Sequence, residues 1–273
     1  MSKFISIEGK SVIITGAAGI IGSTLAKAFV EDGALVTAID VDIATMEEVL
    51  AKAVGTYGQT SLQLVKTDIT DPDDCKRLTE RVTGRFGGVD VLINNAAIDA
   101  KFDKHEEVSF SSRFENYDLS KVRKSLEVNV TGTITITQAV VKAMLAQGKG
   151  GSVVNLASTY SLVAPNQSLY DFGRGTQSYK PVDYVASKSF IPNFTRYIAT
   201  FYAEEGIRCN TVVPHAIDNG HDDAFKSNFK RFSPLGRMSR REELLGAFIL
   251  LASDASSYMT GSTVVVDGGW TAW

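Results

Sequence analysis

The sequence predicts an α/β fold built on one doubly wound parallel sheet with helices on both faces. Three observations predict it. Short apolar runs alternate with segments of helical period along the chain. A glycine-rich turn joins the first apolar run to the first helical segment. No Pro/Ser-rich linker, internal repeat or low-complexity tract interrupts the 273 residues, so one domain over 1–273 is expected. Hydrophobic residues make up 44% of the chain, enough for a sizeable core.

Ser11-Val-Ile-Ile14 is a short apolar run of the kind that forms a buried strand. It leads into Thr15-Gly16-Ala17-Ala18-Gly19-Ile20-Ile21-Gly22, then into a segment with Leu25, Ala28 and Phe29 at helical spacing. Glycines in such a turn let backbone approach a pyrophosphate, and the helix N-terminus supplies N–H groups and a favourable dipole. The next strand, expected at 34–39, ends in Asp40, about 20 residues beyond the turn. An acid there is placed to accept hydrogen bonds from adenosine ribose hydroxyls. Strand, loop, helix, strand and acid in this order define a dinucleotide site of Rossmann type. A carboxylate at Asp40 repels the extra phosphate of NADP. Neither the glycine loop nor Ile39, Val41 and Asp42 supplies a base, so NAD is the expected cofactor. Further strands are expected at 62–66, 89–93, 152–156, 208–213 and 263–266.

Tyr184-Val-Ala-Ser-Lys188 opens a long helical run. Residues four apart share a helix face, which sets the Lys188 ammonium beside the Tyr184 phenol. A free phenol titrates near pH ~10. A fixed positive charge nearby stabilises the phenolate and lowers that value. The pair thus reads as an acid/base catalyst with its activator. The spacing also occurs in helices without chemistry, and the dinucleotide signature upstream is what gives it meaning.

Together these pieces resemble the short-chain dehydrogenase/reductase family, over nearly the whole chain. Asn94-Asn95-Ala96-Ala97 matches the family's Asn-Asn-Ala-Gly segment, with alanine in the last place. The resemblance implies that this segment supports the central sheet and lines the adenosine half of the cofactor. It places Asp68 at the adenine amine and Asn129, in Glu127-Val-Asn-Val-Thr-Gly132, at the active-site asparagine. Ser158, closing Ser152-Val-Val-Asn-Leu-Ala-Ser158, matches the catalytic serine. Arg208-Cys-Asn-Thr-Val-Val-Pro214 and the stretch from Met259-Thr-Gly261 to Val266-Asp-Gly-Gly269 match late landmarks. The implied catalytic set is Asn129, Ser158, Tyr184 and Lys188. The implied cofactor contacts are Gly16, Gly19, Ile21, Gly22, Asp40, Asp68, Ile69, Asn95, Ala96, Tyr184, Lys188, Pro214 and Ile217. By the same resemblance Ser158 holds the substrate oxygen, Lys188 also binds the nicotinamide ribose, and Asn129 holds a water that relays protons from Lys188.

Departures from the family pattern point to the substrate. The loop Thr-Gly-x-x-Gly-x-x-Gly is similar to a longer branch acting on sugar nucleotides, whereas length and late landmarks suit the shorter branch. Ser158 and Tyr184 lie 26 positions apart, about twice the family's interval, with an insertion near 168–180 that loops of this kind use for specificity. Within it Tyr170, followed by Arg174, is a rival to Tyr184, but Gly173 and Gly175 argue against a helix there. A second insertion near 99–117 carries Lys101, Lys104, His105 and Arg113, which either grip a phosphorylated or sugar-like substrate or form a solvated surface. His215 stands where glycine follows Pro214 in the family and either approaches the substrate or serves the loop. A substrate-covering segment is expected near 215–232, with Asp218, Asn219 and His221 available for polar contacts. Ala157-Ser-Thr-Tyr-Ser-Leu-Val-Ala-Pro-Asn-Gln167, Ser233-Pro-Leu-Gly-Arg-Met238 and Val266-Asp-Gly-Gly-Trp-Thr-Ala-Trp273 resemble a subgroup linked to surface-polysaccharide and flagellin-glycan biosynthesis. Trp270 and Trp273 close the pocket or pack in an interface, and a chain end favours the interface.

The expected activity is NAD-dependent interconversion of a secondary alcohol and a ketone, on a sugar or nucleotide sugar. The alternatives are a small polyol, a steroid-like alcohol or a 3-oxoacyl thioester, and, remotely, a dinucleotide sensor without turnover. The net charge of −3 offers no electrostatic case for nucleic acid or anionic membrane. No apolar run approaches the ~20 residues of a membrane span, and the N-terminus lacks a secretory apolar core. Cys75 and Cys209 suggest no disulfide framework, and His105, His215 and His221 show no metal-ligand spacing, so no metal is expected. A cytoplasmic homotetramer or homodimer is expected, packed through helices near 124–147 and 184–204 by family analogy.

Overall fold

The structure, a computed structural model, describes residues 5–99, 112–171, 177–221 and 223–273. Its strands are β1 Ser11–Thr15, β2 Leu35–Asp40, β3 Leu62–Lys66, β4 Val91–Asn94, β5 Gly151–Leu156, β6 Ile207–Pro214 and β7 Thr263–Val266. All pair in parallel in the order β3-β2-β1-β4-β5-β6-β7. The doubly wound sheet and every expected strand are present. The helices are α1 Ile20–Glu31, α2 Ile43–Ser61, α3 Pro72–Phe86, α4 Leu119–Leu126, α5 Thr133–Gln147, α6 Val182–Phe201, α7 Asp223–Phe232 and α8 Leu245–Ala252.

Alternation along β1 explains why its sequence is continuously apolar. Val12 and Ile14 join one core with Leu25 and Phe29 of α1, Leu50 of α2 and Phe248 of α8. Ile13 points to the other face and joins Leu78 and Val82 of α3 with Ile136 and Val140 of α5. A strand covered on both sides has no solvated face to carry polar residues. Local chemistry starts and stops the helices between strands. Asp71 caps α3 by accepting from the Asp73 and Asp74 amides, Pro72 follows it, and Gly87 ends the helix at φ 80°.

The chain runs outward from β1 to β2 and β3, then crosses back to β4 on the other side of β1. The crevice beyond the C-terminal ends of β1 and β4 is the switch point at which doubly wound sheets bind ligands. Beside it, α4 and α5 are joined by a π-turn, Glu127–Gly132, and α4 and the π-turn pack against α6. No helix among the described residues is long and apolar enough to cross a membrane.

Candidate active site

The crevice is lined by the glycine turn, and its glycines are needed for space. Gly16 sits at φ 68°, and a Cβ there would fall 2.7 Å from the Ala96 Cα. A Cβ on Gly22 would overlap the Gly16 carbonyl oxygen and come within 2.8 Å of Asn95 Nδ2. No side chain caps α1 at Gly19, which leaves the first-turn N–H groups around Ile21 pointing toward the crevice for an outside acceptor. Asn95 braces the turn, its Nδ2 donating to the carbonyls of Thr15 at 2.8 Å and Gly16 at 3.0 Å. The Asn95 and Ala96 amides both donate to Thr15 Oγ1 at 2.9 Å. Asp40, ending β2, accepts from the Ala18 amide at 2.9 Å and so faces the turn. The Thr67 amide donates to the Asp40 carbonyl at 3.0 Å, which brings Asp68 and Ile69 alongside. Ile69 packs where a Cβ on Gly132 would lie 2.8 Å from its Cγ1. Pro214 pairs with Val266 at the end of β6, and Ile217 bridges to Ser239. Between them Ala216 adopts φ 42°, a left-handed conformation that costs a non-glycine residue roughly 1 kcal/mol.

Ser158, Tyr184 and Lys188 meet past the end of β5. Tyr184 lies in the first turn of α6, after Pro181 at the cap. Ser158 hydrogen-bonds the phenol and also accepts from the Tyr160 amide at 3.3 Å. Lys188 is buried and its Nζ donates to the Leu156 carbonyl at 2.9 Å. Burial pulls the ammonium down to about 8, and Lys180 adds to the effect. The phenol departs from expectation. Burial, then the Asp99 charge, push its proton affinity above the ordinary tyrosine value, and only the Ser158 hydrogen bond opposes them. In the chain alone desolvation dominates, and the lowering expected from Lys188 does not appear.

Asn129 lies inside the π-turn, a helix defect that often marks functional positions. Its Oδ1 accepts from the Ile98 amide at 2.7 Å, and its Nδ2 donates to the Ile98 carbonyl at 3.0 Å and Ser187 Oγ at 2.9 Å. Both amide hydrogens are engaged, so the side chain ties the exit of β4 to α6. Below it, Asn94 Nδ2 donates to Asn155 Oδ1 at 2.8 Å and Thr137 Oγ1 at 2.9 Å, while Asn155 Nδ2 reaches Thr195 Oγ1 at 2.8 Å. This buried ladder holds β4, β5, α5 and α6 in register beneath the site.

Tyr170 is not on a helix. It ends a short 3-10 turn, its hydroxyl lies 2.9 Å from that of Tyr160, and its ring packs on Phe225. Its companion Arg174 lies outside the described residues, as do Lys101, Lys104 and His105. Arg113 pairs with Glu115 at 2.6 Å and lies over the Tyr179 ring. His215 is buried, its Nδ1 2.5 Å from Thr159 Oγ1 and its ring 4.3 Å from that of Trp270. Trp270 stacks on Phe229 at 5.2 Å and is buried within its own chain, which corrects the expectation of an interface; Trp273 is 84% exposed. Asp218 is engaged by Lys226 at 3.0 Å, and His221 stacks on Phe225.

Sequence reasoning did not reach Lys180 and Asp99. Lys180 Nζ lies 2.6 Å from Asp99 Oδ1 and 3.9 Å from the centroid of the Tyr184 ring. The pair spans 81 positions and crosses both insertions, so no spacing rule could have found it. Among the described residues no cluster of His, Cys, Asp and Glu could hold a metal ion.

Residues 16–271 match the family model described as enoyl-(acyl carrier protein) reductase. The chain is 31% identical over 270 residues to the D-threitol dehydrogenase of Mycolicibacterium smegmatis, covering 97% of this chain and 94% of that one. A short-chain dehydrogenase from Leptospira borgpetersenii, solved with bound NAD+, superposes with a TM-score of 0.84 at 27% identity, covering 99% of this chain and 96% of that one. A structure from Beutenbergia cavernae with bound NADP gives 0.82 at 28%, covering 99% and 100%. The chain belongs to the short-chain dehydrogenase/reductase family of oxidoreductases, which use a nicotinamide dinucleotide.

Proposed function

We propose that this oxidoreductase interconverts a secondary alcohol and a ketone with NAD, and that its substrate is a sugar or nucleotide sugar. The observation that carries the reading is the convergence of Ser158, Tyr184 and buried Lys188 beside the glycine cradle. The cradle fits a dinucleotide: Gly16 and Gly22 leave room for a pyrophosphate against the uncapped start of α1, and Asn95 and Ala96 wall the adenosine side. Asp40 stands where a 2′-phosphate would be repelled, which supports NAD over NADP. Asp68, Ile69, Pro214 and Ile217 complete the contacts. When bound, the cofactor supplies the hydride-accepting carbon, and its positive charge favours the phenolate.

The chain supplies the rest. Ser158 hydrogen-bonds the substrate oxygen and holds it against Tyr184. The Tyr184 phenolate takes the hydroxyl proton during oxidation, and the phenol returns it during reduction. Lys188 stabilises the phenolate and holds the ribose. Asn129 holds the water that relays protons from Lys188, and its side chain fixes α6 against the exit of β4. A cavity of about 330 Å³ next to Lys180 has a mixed lining, with Arg113, Gln167 and Lys180 beside Phe114, Pro165 and Val182, so the polar substrate class rests on the resemblance and not on this lining. The 31% relative that acts on D-threitol favours a second reading, a small polyol.

The insertions near 99–117 and 168–180 and the segment near 215–232 are proposed to cover the substrate within a single domain. A homotetramer or homodimer in the cytoplasm is proposed, with α5 and α6 packed on their counterparts. In support, Tyr197 and Phe201 of α6 are each 59% exposed. NAD reduction, followed by absorbance across polyols including D-threitol, free sugars and nucleotide sugars, tests the reading, each assay paired with Tyr184→Phe. Turnover confined to nucleotide sugars supports the first substrate class and turnover of D-threitol the second. Turnover that survives Tyr184→Phe overturns the mechanism.

A further inference from the structure

The ammonium of Lys180 occupies an unusual place. Its side chain is only 7% exposed, yet it comes from the loop before α6, one residue ahead of the Pro181 cap. A cation at a helix N-terminus opposes the helix dipole, so something must hold it there. Asp99, 52% exposed and leaving the end of β4, does so at 2.6 Å. The ammonium lies 3.9 Å from the Tyr184 ring centroid, within the range of a cation–π contact.

We propose that Lys180, tethered by Asp99, is a positioning residue that acts through Tyr184, orienting the ring and stabilising its phenolate form. The inference rests on Tyr184 being the acid/base group. Lys188 serves the phenol from its own helix and also donates to the Leu156 carbonyl. Lys180 serves it from the insertion, over the ring face. Among the described residues, the remaining groups facing the phenol are Ser158 and Tyr160 from the turn after β5 and Asp99 from the loop after β4. Tyr170 approaches through the Tyr160 hydroxyl, and neutral His215 lies behind Tyr160. Asp99 has two opposing effects: it repels the phenolate directly, and it keeps in place the cation that attracts it.

A unit charge at this range, in a half-buried site and partly offset by Asp99, shifts a phenol by about one pH unit. The test needs no substrate. Tyrosinate formation is followed by ultraviolet absorbance against pH in the full-length protein saturated with NAD, and the Tyr184→Phe titration is subtracted to isolate Tyr184. Lys180→Met should raise the Tyr184 transition by about one unit, and Lys180→Arg should leave it near wild type. A Lys180→Met curve that coincides with wild type overturns the proposal. So does a Lys180→Arg curve shifted as far as that of Lys180→Met, because a charge that acts through position is restored by arginine. If Lys180→Met does not fold, Lys180→Gln replaces it with the same expected rise, and a Lys180→Gln curve that coincides with wild type likewise overturns the proposal. A wild-type protein in which Tyr184 does not titrate at all refutes the acid/base reading itself, a separate result from unshifted variants.

Discussion

Replacing Gly22 by alanine should damage both stability and cofactor binding, and the structure sets the size. The added Cβ overlaps the Gly16 carbonyl oxygen, which is backbone and cannot swing aside. That oxygen accepts from Asn95 Nδ2 at 3.0 Å and from the Gly19 amide at 3.2 Å. Moving it weakens two hydrogen bonds of about 1 kcal/mol each and adds overpacking strain of similar size, about 3 kcal/mol in all. For a chain of this length that is a fall in Tm of roughly 6–12 °C. The displaced carbonyl also crowds the pyrophosphate cradle, so NAD should bind at least about tenfold more weakly, a loss of ~1.4 kcal/mol. Thermal unfolding at fixed protein concentration and NAD calorimetry measure both effects. Gly246→Ala is the control: it lies in α8 with nothing within 4 Å of the new Cβ, and should gain ~0.4–1 kcal/mol by restricting the unfolded chain. If the two variants melt alike and bind NAD alike, the steric reasoning is wrong.

His215 is held down to about 4 by burial, below its ordinary value. As pH falls through 6.5 the unfolded chain takes up a proton that the folded chain refuses, so stability is lost between pH 6.5 and 4, on the order of 3 kcal/mol in total. Melts across this range should be flatter for His215→Phe than for wild type, and parallel curves would refute the assignment. Burial pushes the thiols of Cys75 and Cys209 up to about 12, which leaves almost no thiolate at pH 8. A disulfide reagent should therefore find neither in the folded protein and both in guanidinium; fast native reaction would contradict the packing.

Much of the fold was legible because its signals are local. Buried strands such as β1 are apolar on both faces, and the Gly16–Gly22 turn announces itself by the residues a tight backbone approach requires. Tyr184 and Lys188 were legible because four residues on a helix share a face, and Asp40 because a strand of fixed length carries it to the crevice. The sequence by itself thus determined the sheet, the switch point and the positions of the candidate catalytic groups. The electrostatics around them were decided by tertiary structure. Only the packed chain brings Asp99 and Lys180 together across 81 positions and sets them on the Tyr184 ring. Only packing shows that Asn129 spends its amide on Ile98 and Ser187, or that Trp270 folds inward onto His215 and Phe229. Periodicity says which face of an element a side chain leaves from. Its charge state and partners depend on desolvation and on loops that arrive from distant sequence, and those are properties of the assembled interior.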